Sequence, residues 1–386
     1  MINLLVIIEV MKVIRVATVP EAIVHFKKQI LYFKNAGIDI SILTSPGPYS
    51  KVLKDEIGVP HNFINIRREI SLLSDILSVY QLFIYFRQYK PDVVHSTTPK
   101  AGLLVAIAAF LACVPKRFHT FTGQRWMTLK GPLRTILKCC DRIIVLLNTQ
   151  CFADSPSQII FLENENIASV GKIKCIHKGC LGGIDFERFN FERLSQVKIE
   201  KRRELGLKDN STVFIFVGRL NRDKGINELV RAFERLIKDK LNTDLLLIGE
   251  SEDHLVPLDE SVKEVMNTDP SIHVLGFQRH PEEFYITADI FCMPSYREGF
   301  GTVVLEAAAL GLPAIGTRIP GLVDAISEGE SGLLVPPGDT DSLYRAMSQL
   351  VLDKEMRLEM SKKALTRARK DFSFELIAEE LLKFYR

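Results

Sequence analysis

Charged residues in the second half of the chain surround a glycine turn that separates a strand-like segment from a helix-like one. The segment VFIFVGRL is followed by NRDKGINELVRAFERL, and Arg219 and Lys224 bracket the turn that begins at Gly218. A helix that starts after such a turn directs backbone amides and the positive end of its dipole at a phosphate. Two cations beside it could neutralise a diphosphate without a metal ion. The alternative is that both are surface charges on an ordinary loop.

A second stretch, MPSYREGFGTVVLEAAALGLPAIGT, places two carboxylates around another glycine turn. Glu298 lies at the mouth of the turn, and Glu306 follows after seven residues on a helix predicted to reach about Leu310. From that position Glu306 could accept two ribose hydroxyls while the amides at the start of the helix hold phosphate. Glu298 could accept the hydroxyls of a sugar. The alternative is that glutamates near helix starts are simply favoured by the dipole.

Two residues of the first half follow predicted strands. His119 ends the strand-like segment Arg117–His119 and precedes Thr-Phe-Thr-Gly, which ends at Gly123; Lys100 follows Thr-Pro after another strand. Open α/β sheets bind ligands at the carboxyl ends of their strands, so His119 is a candidate active-site residue and Lys100 a candidate phosphate ligand. The alternatives are an ordinary buried or surface histidine and a helix-start lysine. His25 and His95 are weaker candidates.

These residues need a scaffold, and short β-branched runs that alternate with helical patterns predict two parallel sheets covered by helices. The predicted strands of the first sheet are Val13–Ala17, Asp39–Leu43, Phe63–Ile66, Val93–Ser96, Phe118–Phe121 and Ile143–Leu147, and its predicted helices are Ala22–Asn35, Leu72–Gln88, Ala101–Cys113 and Leu133–Cys139. The predicted strands of the second sheet are Val213–Val217, Leu245–Ile248, His273–Leu275, Ile290–Met293, Ala314–Gly316 and Leu333–Val335.

The length of 386 residues fits two domains, and 47% hydrophobic with 25% charged residues excludes wholesale disorder, collagen and coiled coil. We predict a first domain over residues 1–182, a linker and lead-in over 183–210, and a second domain over 211–386. The last helical pattern, Phe374–Tyr385, could return to the first domain.

The cysteines and the hydropathy favour a reducing compartment and a protein without a transmembrane segment. Seven cysteines form no CxxC pair, and the longest alanine- and leucine-rich run, 102–114, is too short to span a bilayer. The apolar start lacks the basic leader and cleavage site of a signal peptide, and a strand begins only near Met11. Cys175, His177 and Cys180 could be metal ligands, but no second cluster completes a four-ligand set, so we expect no metal site.

Charge is divided unevenly along the chain. Up to Gly182 there are 22 Lys and Arg against 12 Asp and Glu, a net charge of +10. Because the whole chain carries +3, the remainder carries −7. Cations and apolar residues, including Trp126 and Leu129, are interleaved over Lys116–Arg142. Such a segment could lie on an anionic membrane, or it could be a solvated helix whose apolar face is core. No nucleic-acid-binding motif appears, so we expect no nucleic-acid partner.

Taken together, Arg219, Lys224, the glycines around Phe300 and the Glu298/Glu306 pair resemble the donor site of family-four retaining glycosyltransferases of the GT-B fold. Phrases such as HSTTPKAGLL, GGIDFERF, GRLNRDKGI, SYREGFG and GLPAIGT extend the resemblance over the whole chain, towards bacterial members that build capsule, O-antigen or lipopolysaccharide. The segment ATVPEAIVHF stands where many members have a glycine-rich loop. The resemblance implies two Rossmann-like α/β domains with parallel sheets facing a central cleft.

The resemblance also implies roles for individual residues. Arg219 and Lys224 would hold the diphosphate, Glu306 the ribose, and Glu298 the donor sugar. His119 would face that sugar, which makes His119, Arg219, Lys224 and Glu298 the expected catalytic residues. The expected donor site also includes Gly218, Gly299, Phe300, Gly301 and Thr302. The expected acceptor site includes Lys100 and Gly123.

The activity implied is transfer of a sugar from a nucleoside diphosphate sugar, with UDP the expected nucleotide, to a polyprenyl-diphosphate-linked saccharide at the cytoplasmic membrane face. Retention of configuration and independence from metal are implied as well. A front-face reaction, in which the departing phosphate helps to take the acceptor proton, fits better than a protein nucleophile, because both glutamates belong to one donor motif. The rival functions are a nucleotide-sugar epimerase and a catalytically silent nucleotide-sugar-binding module.

Overall fold

The computed structural model describes residues 10–67, 71–208, 210–252 and 255–386, which form two compact units. The first unit holds the described chain up to Asp154 together with Gln158–His177 and Phe374–Arg386, and the second holds Ser155–Ser157 and Lys178–Ser373. The predicted absence of a signal peptide concerns residues 1–9, which lie outside the described part.

The first unit contains a seven-stranded sheet in the order β3-β2-β1-β4-β5-β6-β7, and every pair of neighbouring strands is parallel. Helices cover it because parallel strands need crossover connections. The strands are β1 (Lys12–Val16), β2 (Asp39–Thr44), β3 (His61–Phe63), β4 (Val93–Ser96), β5 (Lys116–Phe121), β6 (Gln150–Ala153) and β7 (Ile173–Cys175). The helices are α1 (Glu21–Val24), α2 (Lys27–Asn35), α3 (Ser50–Ile57), α4 (Leu72–Tyr89), α5 (Pro99–Leu111), α6 (Pro132–Leu147) and α7 (Pro156–Asn164), with a 3-10 turn at Arg125–Thr128.

The second unit contains a six-stranded parallel sheet in the order β10-β9-β8-β11-β12-β13. Its strands are β8 (Thr212–Val217), β9 (Thr243–Ile248), β10 (Ile272–Gly276), β11 (Ile290–Met293), β12 (Ala314–Thr317) and β13 (Gly332–Val335). Its helices are α8 (Phe191–Glu204), α9 (Ile226–Lys238), α10 (Glu260–Thr268), α11 (Glu282–Tyr285), α12 (Thr302–Ala309), α13 (Leu322–Ala325), α14 (Thr340–Leu352) and α15 (Lys354–Asp371), with a 3-10 turn at Arg222–Lys224. The predicted fold class, two parallel-sheet Rossmann-like domains, is confirmed.

The local sequence explains the central elements of the second unit. Strand β8 reads TVFIFV and is buried over nearly its whole length, as expected of a strand with helices on both faces. Helix α9 buries Ile226, Leu229, Val230 and Phe233, which recur at the spacing of one helical face.

The last helix, α16 (Phe374–Tyr385), belongs to the first unit although it follows the second in sequence. Its final residue, Tyr385, is fully buried, and the Tyr385 hydroxyl lies 2.8 Å from His95 Nδ1. Arg15 Nη1 donates to the same hydroxyl at 3.2 Å, and Lys116 Nζ donates to the Tyr385 carbonyl at 2.7 Å. A buried polar cluster therefore anchors the end of the chain, and it accounts for His95 as a structural residue.

The division of the chain differs from the predicted boundaries. The second unit begins its long segment at Lys178, not after 182, and the predicted linker 183–210 is part of this unit. Helix α8 is capped by Asn190, whose side chain accepts from the Arg193 amide, and Leu194 lies in the core of the second unit. The polar appearance of this stretch reflects a helix with a single buried face.

Several predicted elements of the first unit are also corrected. Residues 143–147 are the end of helix α6 and not a strand: Asp141 and Ile144 are buried while Arg142, Ile143 and Leu146 are exposed, which is a helical spacing. The predicted helix 22–35 is divided into α1 and α2. The third strand begins two residues earlier than predicted, and strands β6 and β7 were not predicted.

Candidate functional site

The two charged glycine turns of the second unit follow neighbouring strands. Strand β8 leads into the loop from Gly218 to Gly225, and its neighbour β11 leads into the loop from Pro294 to Gly301. The strand order reverses direction between β8 and β11, and open α/β sheets bind ligands outside the carboxyl ends of strands at such a point. The site predicted from two separate sequence stretches is therefore brought together at one place.

Gly225 allows these two loops to touch. Its φ is +73°, and a Cβ atom there would lie 2.0 Å from the carbonyl oxygen of Pro294. The contact is reinforced by the Tyr296 amide, which donates to the Asp223 carbonyl at 2.9 Å. Any side chain at position 225 would push the loops apart.

Lys224 and Glu298 form an ion pair across the two loops. Lys224 Nζ lies 2.5 Å from Glu298 Oε1, and both side chains are largely buried. The backbone of Lys224 is fixed separately, because its amide donates to Asn221 Oδ1 at 3.1 Å. The structure thus brings together two predicted site residues that are 74 positions apart in sequence.

Arg219 is held by a carboxylate that the sequence analysis did not single out. Arg219 Nη1 lies 2.7 Å from Glu252 Oε2, and Asn221 Nδ2 donates to the same oxygen at 2.9 Å. The Arg219 side chain remains about half exposed. The guanidinium is therefore oriented but accessible to an anion.

Glu306 lies on α12 in a desolvated setting. Tyr285, which is fully buried, donates from its hydroxyl to Glu306 Oε2 at 3.2 Å. Burial raises the pKa of Glu306, and the positive charge of Arg188 opposes that rise. Arg188 itself is held by Glu282 at 2.7 Å. Tyr285, Arg188 and Glu282 were not predicted, since no local motif connects Arg188 and helix α11 with Glu306.

The turn before α12 confirms one geometric expectation and corrects another. Gly301 is the N-cap residue of α12 with φ +85°, so Thr302 begins a helix whose first amides have no intrahelical acceptor. Gly299 is buried beside it. Phe300, however, is 1% exposed and packs on Phe372 with ring centroids 5.5 Å apart. Its side chain is a core residue and does not line a ligand site.

His119 does not occupy the predicted position at the end of a strand. Strand β5 continues to Phe121, and His119 within it is 1% exposed. His119 Nδ1 lies 2.9 Å from Ser96 Oγ, and the ring packs so closely on Gly102 that a Cβ there would lie 2.4 Å from the ring. Burial lowers the pKa of His119 to about 3. The imidazole is therefore neutral, and its catalytic role stays a prediction.

The two predicted acceptor-site residues lie near strand ends of the first unit. Lys100 is in the first turn of α5 and pairs with Asp75 of α4, with Nζ 2.7 Å from Oδ1. Gly123 follows β5 with φ +111°. Nearby, the Thr18 amide donates to Thr98 Oγ1 at 2.8 Å, which connects the loops after β1 and β4 where the sequence lacks a glycine-rich loop.

The basic segment 116–142 is not the continuous amphipathic helix that a membrane-lying role would need. It consists of β5, a 3-10 turn and the first part of α6. Trp126 is 2% exposed, and its Nε1 donates to Asp141 Oδ2 at 2.7 Å. Arg134 and Lys138 both pair with Glu165 and lie over the Trp126 ring. Trp126 is therefore a core residue.

Helix α6 nevertheless presents an apolar stripe to solvent. Its members are spaced by three, seven and three residues and are all at least 40% exposed: Leu133, Ile136, Ile143 and Leu146. Arg142 and Lys130 are exposed beside it. In and around the basic segment, the apolar residues that could meet a membrane are thus these four and not Trp126.

Neither a metal centre nor a membrane span is found among the described residues. No group of three or more His, Cys, Asp or Glu side chains in those ranges could hold a metal ion, and this includes Cys175, His177 and Cys180. Every helix in the same part of the chain is too short or too polar to cross a bilayer.

Comparison with known proteins agrees with this geometry. Residues 197–367 match the family described as "Glycosyl transferases group 1", and residues 15–148 match "Glycosyl transferase 4-like". The chain is 33% identical to the "Capsular polysaccharide biosynthesis glycosyltransferase CapM" of Staphylococcus aureus, over 97% of this chain and 96% of that protein. It is 29% identical to the "UDP-Gal:alpha-D-GlcNAc-diphosphoundecaprenol alpha-1,3-galactosyltransferase" of Escherichia coli, over 85% and 84% of the two chains.

A solved structure shares the fold over almost the full length. The Anabaena protein Alr3699/HepE, determined in complex with UDP, superposes with a TM-score of 0.79 at 16% identity and covers 97% of this chain and 99% of its own. Two parallel-sheet units with charged glycine turns in the second thus define a two-domain α/β protein of the GT-B class. The chain belongs to the group 1, family-four-like glycosyltransferases, which confirms the resemblance drawn from the sequence.

Proposed function

We propose that this protein transfers a hexose from a UDP-sugar to a saccharide carried on a polyprenyl diphosphate, with retention of configuration, during synthesis of a bacterial surface polysaccharide. The observation that carries the proposal is the Lys224–Glu298 pair where two glycine loops meet, with Arg219 and the start of α12 beside it. The E. coli relative, whose name specifies UDP-Gal and a diphosphoundecaprenol acceptor, and the UDP complex of HepE support the choice of substrates.

The proposed reaction exchanges one bond at the anomeric carbon of the donor sugar for another. The bond to the β-phosphate oxygen breaks, a bond to the acceptor hydroxyl oxygen forms on the same face, and the hydroxyl proton passes to the departing phosphate. Negative charge grows on the leaving diphosphate, and Arg219, Lys224 and the first amides of α12 stabilise it there. Interactions that strengthen as this charge develops raise the rate of transfer.

The carboxylates have separate tasks in this proposal. Glu306 accepts hydrogen bonds from the ribose hydroxyls, with Tyr285 holding its other oxygen. Glu298 keeps Lys224 in place and accepts hydroxyls of the donor sugar. Because the charged groups present already supply a positive field at the diphosphate, we propose that no divalent metal is needed.

The site of action we propose is the cytoplasmic face of the cell membrane, with the protein peripherally bound. The first unit would hold the acceptor through Lys100 and the backbone near Gly123. The support for membrane binding is the net charge of +10 up to Gly182 together with the apolar stripe of α6.

The test is acceptor-dependent turnover of UDP-sugars. The purified protein is incubated with a panel of labelled UDP-hexoses with and without GlcNAc-diphosphoundecaprenol, and the anomeric configuration of any product is read by NMR. We expect label in the lipid product only when the acceptor is present, in the same anomeric configuration as the donor. An isomerised donor formed without acceptor would identify an epimerase, and binding without turnover would identify a silent module. Inverted product would contradict the proposed retention.

A further inference from the structure

The first unit carries a groove whose lining includes none of the residues proposed for the donor or acceptor site. It lies between the edge strand β3, with the chain that follows it, and helix α4, and its volume is about 660 Å³. None of the residues that line it is charged. Six of them are aromatic or carry an amide: Phe63, Tyr80, Tyr85, Asn65, Gln81 and Gln88.

The backbone of one wall is fixed in an extended form. The Ile64 amide donates to the Thr44 carbonyl at 3.0 Å, and Ser78 Oγ donates to the Asn65 carbonyl at 2.9 Å. Exposure alternates along this segment, with Ile64 buried and Phe63 and Asn65 exposed. The side chains of Phe63 and Asn65 therefore face outward on one side of a held strand.

The other wall is one face of α4. Gln81, Ile84, Tyr85 and Gln88 recur at positions i, i+3, i+4 and i+7, and Tyr80 is 61% exposed beside them. The Tyr85 ring is held in place, because Asn62 Nδ2 donates to its hydroxyl at 2.9 Å and Tyr89 stacks on it at 5.7 Å. Between Gln81 and Gln88 the helix advances by about 10 Å, longer than a single sugar ring.

The chemistry of these walls fits a neutral saccharide better than a lipid or an anion. Aromatic faces contact the C–H faces of sugar rings, and amides both donate to and accept from hydroxyls. A lipid chain would bury the side-chain amides of Asn65, Gln81 and Gln88 without offering them hydrogen-bond partners, which is unfavourable. An anion would find no cation among the lining residues.

We infer that this groove binds a short neutral segment of the saccharide that the enzyme extends. The inference rests on the proposed function for the identity of that saccharide, but the binding itself requires no donor and no turnover. The groove would hold the acceptor through its sugar chain, in addition to the lipid and the reacting hydroxyl.

The binding test uses maltotetraose, cellotetraose and chitotetraose as probes, with saturation-transfer NMR and calorimetry on the full-length protein. We expect at least one of them to bind with a dissociation constant on the order of a millimolar. Tyr80→Ala should weaken that binding by about tenfold, whereas Tyr80→Phe, which keeps the ring, should retain it. The matched control is Phe191→Ala. Phe191 is an aromatic residue of the second unit that is about as exposed as Phe63 of the groove, and its replacement should have no effect on saccharide binding.

The inference is overturned if none of the three saccharides binds, or if Tyr80→Ala leaves their binding unaffected. It is also overturned if the groove binds a prenyl detergent instead of the saccharides. In turnover assays Tyr80→Ala should raise KM for the lipid-linked saccharide and leave KM for the nucleotide sugar unchanged. If the parent protein transfers no sugar at all, the proposed function fails, and saccharide binding still decides the inference about the groove.

Discussion

At the scale of single residues, the site is a set of charges already held by opposite charges. Lys224 pairs with Glu298, and Arg219 pairs with Glu252. A diphosphate entering this site adds negative charge near two cations whose orientation is already fixed, so little ordering is needed on binding. Because Glu298 pairs with Lys224 and Glu306 pairs with no cation of the described chain, we expect the two glutamates to differ in their effect on nucleotide affinity.

We expect Glu306→Gln to weaken the affinity for free UDP by about tenfold, because a hydrogen bond to a charged group contributes about 1.5–3 kcal/mol. Glu298→Gln should leave UDP affinity unchanged or raise it, since the substitution frees the charge on Lys224, and should lower the rate of transfer. Titration calorimetry with UDP separates the two. A loss of UDP affinity in Glu298→Gln with none in Glu306→Gln would mean that the roles are reversed.

Transfer should also continue in the presence of a chelator. In the proposed reaction, Arg219, Lys224 and the start of α12 provide the positive field that a divalent ion supplies in other enzymes. The measurement is the rate of acceptor-dependent transfer in EDTA, compared with the same protein supplied with magnesium or manganese. Activity that disappears in EDTA and returns with either ion would show that a metal is required.

At the scale of elements, helix α6 carries a buried carboxyl group on its inner face, which is hydrogen-bonded to the Trp126 side chain. Asp141 is buried, accepts from Trp126 Nε1, and has its pKa raised by burial to about 6. A carboxyl whose pKa is higher in the folded than in the unfolded protein binds its proton more tightly when folded. Its contribution to stability is therefore greatest below the unfolded value near 3.8 and declines as pH rises to about 6.

Replacing Asp141 by Asn keeps an acceptor for Trp126 and removes this titration. Relative to the parent, the variant should gain stability as pH rises from 4 to 7, by up to about 3 kcal/mol. Urea unfolding at several pH values measures the difference. A difference between the two proteins that stays constant across this range would show that Asp141 does not titrate as described.

The elements also show where sequence patterns succeed and fail. Periodicity predicted the buried strands and α9, because one face or both faces of each are consistently apolar. It failed at 143–147, where a β-branched run continues a helix, and at Trp126, whose neighbouring cations suggested a membrane surface. Those cations instead lie over the ring and pair with Glu165. An ion-pair partner that lies 27 or more residues away in the sequence leaves no signal in the local sequence pattern.

The candidate site divides in the same way. Arg219, Lys224, Glu298 and Glu306 could be found because each lies in or beside a glycine turn or on the helix that follows it. Glu252, Tyr285 and Arg188 could not, since only the folded sheet brings them near. His119 was taken as the end of a segment Arg117–His119, but β5 continues to Phe121, as the strand predicted over Phe118–Phe121 implies, and His119 lies in its interior.

At the scale of the whole molecule, the uneven charge suggests a protein drawn to an anionic surface. The chain up to Gly182 carries +10 and the remainder −7. The exposed stripe of α6 lies in the basic part, and apolar residues that enter the headgroup region add to the attraction of cations.

We expect the protein to bind vesicles containing anionic lipid and to be released as salt rises, because the attraction is screened over about 8–10 Å at physiological ionic strength. The combined variant Ile136→Ser, Ile143→Ser, Leu146→Ser should bind vesicles several-fold less tightly and keep its affinity for UDP, since the stripe is in the other unit. Leu352→Ser, an exposed leucine of the second unit, is the control. Vesicle binding that is unchanged in the combined variant, or absent in the parent at low salt, would remove the membrane from this proposal.

The most direct test of the central claim, that the two glycine loops of the second unit form the site of sugar transfer, is the turnover of Lys224→Ala. The control is Lys238→Ala, which removes a lysine from the exposed end of α9 in the same unit. Acceptor-dependent transfer is measured for both variants, together with their unfolding temperatures. The structure predicts that Lys224→Ala loses about 100-fold to 1,000-fold in rate while remaining folded, and that Lys238→Ala keeps the parent rate. Near-normal transfer by folded Lys224→Ala would contradict this assignment.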